Sequence, residues 1–110
     1  MIEDTIANIE SRLQRTGTFT DEQRKELQTL LHTLKSELTA LSKTKSDQAR
    51  SITGYIDLST HEATREEKQP HLFRHAIEGL SSSVVGMEVQ HPRLTELVNA
   101  LSQLLSNAGI

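Results

Sequence analysis

The stretch DEQRKELQTLLHTLKSELTALSKTKSDQARSITGYIDL, residues 21–58, decides how this chain folds. Leu27, Leu31, Leu34, Leu38 and Leu41 recur at alternating spacings of four and three, which places them on one side of a helix as a heptad seam. Leu30 widens that face. Beyond Leu41 a strict heptad calls for Lys45 and Gln48, both polar, whereas a shift by four recovers Ala49, Ile52 and Ile56 with Tyr55 beside them. Such a shift is the mark of a stutter in a continuing helix. No glycine or proline interrupts the run before Gly54, so one long helix is predicted from about Asp21 to Leu58. A polar loop at SKTKSDQ, residues 42–48, is the competing reading. At the other end, Thr20 followed by Gln23 has capping-box form and sets the helix start.

Working outward, Ile2, Ile6, Ile9 and Leu13 form the apolar stripe of a first helix that Gly17 closes. The hydrophilic stretch STHEATREEKQ ends at Pro70, which biases the preceding residue out of the helical region. Phe73, Ile77, Leu80, Val84 and Met87 then repeat the four-three pattern, with a second stripe of small residues, Ala76, Gly79, Ser83 and Gly86, beside them. Two glycines inside a helix cost about 1 kcal/mol each relative to alanine, and close approach of a neighbouring helix would offset that. Fraying at Gly86 before the next turn is the plainer alternative. Pro92 suits the first position of a last helix carrying Leu94, Leu97, Val98, Leu101, Leu104, Leu105 and Ala108. Gly109 would close that helix and let Ile110 fold back onto Leu104 or Leu105. The expectation is a single all-α domain over 1–110: an elongated hairpin or bundle of about four helices, the second one long, with coiled-coil-like packing.

Composition narrows the function. With 35% hydrophobic residues and three aromatics, Phe19, Tyr55 and Phe73, the interior is thin and one domain is all the chain can support. The absence of cysteine excludes a disulfide framework, a thiol nucleophile and a cysteine-built zinc site. No apolar run approaches a membrane span, so no membrane association and a cytoplasmic location are expected. At a net charge of −3, with Lys43, Lys45 and Arg50 read as the only basic cluster, nucleic-acid binding is not expected either.

The segments GLSSSVVGMEVQHPRLTELVNALSQLLSNAGI and SITGYIDLSTHEATREEK resemble the bacterial family named domain of unknown function 4404. The marks are Glu88, the His91-Pro92 pair and the leucine helix ending in Gly109-Ile110. The resemblance covers about the last half of the chain and implies a small helical protein. It carries no reaction, ligand or functional residue.

Candidate chemistry is sparse. His71 and His75 lie four apart on a predicted helix and could offer two nitrogens to a metal, with Glu67 or Glu78 as a third donor. A solvated helix face is the simpler reading. His61-Glu62 opens like a zinc-protease motif but has Arg65 where the second histidine belongs. His91 reads as a cap or packing residue. The carboxylate pairs Asp21/Glu22 and Glu66/Glu67 sit in hydrophilic runs that would not raise a pKa for acid catalysis, and Ser81, Ser82 and Ser83 lack a nucleophile elbow. No enzyme and no cofactor are therefore expected.

A helix over 21–58 would be roughly 57 Å long, against a radius of gyration near 13 Å for a compact chain of this size. Such a helix outruns its own core and needs a partner for its leucines. The expected function is a self-associating protein–protein interaction module, a dimer or tetramer, whose seam is Leu27, Leu31, Leu34, Leu38 and Leu41. The alternative is a metal- or small-ligand-binding bundle organised around His71 and His75.

Overall fold

In a computed structural model that describes residues 1–108, five helices follow one another: α1 (Ile2–Arg15), α2 (Asp21–Ser42), α3 (Ser46–Ala63), α4 (Pro70–Ser83) and α5 (Pro92–Asn107). No strand occurs among the described residues. The all-α reading is thus met, with five helices where about four were expected. Gly109 and Ile110, and the cap expected of them, lie outside the described residues.

The difference arises in the decisive stretch. The helix that opens at Asp21 stops at Ser42, and after a three-residue turn α3 begins at Ser46. Neither glycine nor proline makes this turn. Lys43 N–H donates to the Ala40 carbonyl at 3.3 Å, and the amides of Thr44 and Lys45 both reach the Leu41 carbonyl, at 3.1 and 2.8 Å. The Ser42 hydroxyl donates to the Thr39 carbonyl at 2.6 Å, the local side-chain bonding by which serine and threonine compete with helix propagation. From Ser42 to Gln48 a continuous helix would have carried only polar side chains and nothing to bury. Breaking there sends α3 back along α2, so Ala49, Ile52 and Ile56, each 0% exposed, join the same core as the leucines.

The other helix ends follow their sequence signals. Thr20 and Gln23 form the capping box, with the Gln23 amide donating to Thr20 Oγ1 at 3.1 Å and the Thr20 amide to Gln23 Oε1 at 2.9 Å. Pro70 and Pro92 open α4 and α5. Met87 and Val84 are buried although α4 ends at Ser83, and Gly86 sits in the following turn at φ +86°. Gly86 therefore belongs to a turn that needs a left-handed residue, and not to the small-residue stripe of the helix.

Alternating direction along the chain makes an up-and-down bundle. α3 packs against all four other helices, α2 against α1, α3 and α5, and α4 against α3 and α5. Leu27, Leu31, Leu34 and Leu38 are 0% exposed and Leu41 3%. One chain covers the whole seam. The molecule measures 37 × 24 × 22 Å with a radius of gyration of 13.0 Å, so the elongated shape and the single long helix over 21–58 are corrected. A leucine stripe closed in by three helices is likewise a bundle core rather than a two-helix coiled-coil seam.

Among the described residues, no helix is long and apolar enough to cross a membrane. The direct test of the core is Leu34→Asp. A carboxylate at this wholly buried position lacks a partner, so the variant should lose about 3 kcal/mol or more of stability in urea denaturation. A variant with an unshifted urea midpoint and a changed association state would contradict this placement.

Candidate functional site

The sequence-derived candidates are spread apart by the fold. His71 and His75 are both exposed on the outer face of α4. Among the described residues, no group of three or more His, Cys, Asp or Glu is placed to hold a metal ion. His91 precedes α5 but makes no side-chain cap; its backbone carbonyl instead accepts from the Thr95 amide and hydroxyl, both at 3.1 Å. Of the basic cluster, Lys43 is exposed and the Lys45 ammonium donates to Gln90 Oε1 at 2.9 Å, tying the α2–α3 turn to the α4–α5 loop.

The small-residue stripe marks a real close approach at one position. Ala76 is buried. At Gly79 a Cβ would lie 2.3 Å from Cε1 and 2.7 Å from Cδ1 of Tyr55, so the tyrosine ring of α3 lies directly on the bare backbone of α4.

At the opposite end of the bundle from the Lys45–Gln90 contact, the loop after α1 meets the loop after α3. They enclose an open cleft of about 480 Å³ lined by Arg12, Arg15, Thr16, Gly17, Thr18, Thr64, Arg65, Glu66 and Lys68. Its cations come from two regions some fifty residues apart in sequence. Arg12 and Arg15 occupy the last turn of α1, where positive charge complements the helix dipole.

Three of the four cations are held in place. Arg12 Nη1 donates to Asp57 Oδ1 at 3.3 Å and to Thr60 Oγ1 at 3.4 Å, joining α1 to α3. Arg65 Nη1 lies 3.3 Å from both carboxylate oxygens of Glu62, whose side chain is only 7% exposed. Lys68 Nζ donates to the Ala63 carbonyl and, at 3.3 Å, to Thr18 Oγ1, bridging the two loops. Burial draws the Lys68 ammonium below the ordinary lysine range because desolvation disfavours its charged form. Arg15 differs: among the described residues it has neither an ion pair nor a side-chain hydrogen bond, and it is exposed.

The turn itself is braced from behind. Arg24 Nη2 donates to the carbonyls of Thr16 at 3.2 Å and Phe19 at 3.1 Å, while Phe19 is buried at 4% exposure. Four cations and the Glu66 carboxylate line the cleft, Asp57 and Glu62 pair with two of the arginines, and Asp21, Glu22 and Glu67 stand in the adjoining segments. The lining of the cleft itself thus carries more cations than carboxylates, although the segments around it do not.

Comparison of the chain with protein-family models, with curated proteins and with solved structures found no match.

The contact between Tyr55 and Gly79 predicts a reversal of sign. In the Tyr55→Ala background, Gly79→Ala should raise stability by about 0.5–1 kcal/mol through helix propensity. In the wild type the ring must be displaced, so the same change should be neutral or destabilising. Equal effects in both backgrounds, measured by thermal or urea unfolding, would show that the ring does not rest there.

Proposed function

We propose that this chain is a non-catalytic binding module that recognises an anionic group in the cleft between the α1–α2 and α3–α4 loops. The convergence of Arg12, Arg15, Arg65 and Lys68 on one open cavity carries the reading. Three of these cations are tethered by neighbours and so lose little freedom when a ligand arrives, while Arg15 keeps its whole guanidinium fork for it. Attraction of a charged partner falls steeply with salt at such a solvent-open site.

The self-association expected of a long helix is not carried forward on the α2 leucines, because the chain itself covers them. The histidine-centred alternative has no third donor to support it. Binding at the cleft keeps the broader part of the expectation, a protein that works by recognition, and moves it from an apolar seam to a charged end.

Melting curves of the full chain in citrate, sulfate and chloride at matched ionic strength test this. At least one multivalent anion should raise the melting temperature saturably, by mass action on the folded state. Arg15→Glu should remove the rise without changing the melting temperature in chloride by more than a surface substitution does. Identical melting in all three salts would overturn the proposal.

A further inference from the structure

We propose that the anion is a phosphate group carried by a small molecule, held between Arg15 and the Thr16-Gly17-Thr18 turn. This rests on the cleft being an anion site and adds which anion it takes. Two threonine hydroxyls in this turn share a single hydrogen bond. Thr16 Oγ1 and Thr18 Oγ1 are 2.9 Å apart, so one donates to the other. Thr16 Oγ1 also accepts from the Thr18 amide at 3.3 Å, and Thr18 Oγ1 accepts from the Lys68 ammonium at 3.3 Å. Only one of the two hydroxyl protons is used in the bond between them. Whichever way that bond runs, the other proton is left over, on a residue that lines the cleft.

That spare donor is polarised. If the proton remains on Thr16, the chain of donation runs from the Lys68 ammonium through Thr18 to Thr16; if it remains on Thr18, the ammonium donates directly to that oxygen. Either arrangement makes the hydroxyl a better donor to an anion. Between the two threonines, Gly17 adds no side chain. A Cβ built there would meet nothing within 4 Å and its φ is not positive, so the turn opens onto free space without backbone strain.

The donor set discriminates between anions by shape. One arginine fork takes the two oxygens of a carboxylate, whose remaining lone pairs lie in the same plane as the fork. A phosphate group keeps further oxygens directed away from the fork, and these suit the threonine hydroxyl together with the unused N–H groups of Arg12, Arg65 and Lys68. A cavity of about 480 Å³ is of small-molecule size.

Titration calorimetry of the full chain with inorganic phosphate and with malonate, at ionic strength matched by chloride, is the test. Phosphate should bind, and malonate should bind more weakly by about tenfold or more. Arg15→Ala should weaken phosphate by about tenfold. Thr16→Val with Thr18→Val should erase the preference for phosphate over malonate, and the serine pair at the same positions should restore it. Gly17→Asp, placed in open space, should abolish binding while leaving the melting temperature in chloride nearly unchanged.

Malonate binding as tightly as phosphate would overturn the phosphate assignment and leave the anion site standing. Binding of neither would remove both. Phosphate binding that survives Arg15→Ala and Gly17→Asp would place the ligand elsewhere and overturn this inference.

Discussion

Everything in this molecule depends on closing the leucine stripe of α2 inside a single chain. Leu27, Leu31, Leu34, Leu38 and Leu41, together with Ala49, Ile52 and Ile56, share one continuous core with the isoleucines of α1 and the leucines of α5. Each fully buried leucine or isoleucine is worth about 1.5–3 kcal/mol relative to remaining in water. Seven such positions cannot be left to chance encounters when neighbours in the same chain can reach them. The break at residues 43–45 meets this requirement: it gives up a few helical hydrogen bonds and lets α3 return along the stripe.

Folding back also determines where charge collects. With helices alternating in direction, the α1–α2 and α3–α4 loops must come to the same end. The last turn of α1 favours cations there, and Arg12 and Arg15 supply them. Asp57 and the buried Glu62 do not simply neutralise this end, since each fixes the direction of one arginine. Lys68 is partly desolvated and shares its protons between the Ala63 carbonyl and Thr18. The same contacts that join the loops therefore prepare a charged cleft, and stability and recognition are served by one set of bonds.

Much of the fold was legible in the sequence, because apolar periodicity reports directly on burial. The stripes of α1, α2 and α5, the Thr20–Gln23 capping box and the prolines opening α4 and α5 stand where the pattern put them. The α2–α3 turn was not legible, because its residues are ordinary helix-compatible ones and its reason lies in the tertiary core. A stutter and a reversal leave the same phase shift in the pattern. The cleft was hidden for a different reason: Arg12 and Arg15 lie some fifty residues from Arg65 and Lys68, and no local motif links the two halves. Its faint signal was the Thr16-Gly17-Thr18 turn directly after two arginines.

Amide hydrogen exchange at two protein concentrations, a hundredfold apart, tests most directly whether the chain completes its own core. The slowest-exchanging amides should lie in α2 between Leu27 and Leu41, and their protection should be the same at both concentrations. Protection of these amides that falls on dilution would show that a second copy covers the stripe, and would contradict the single-chain core on which this account stands.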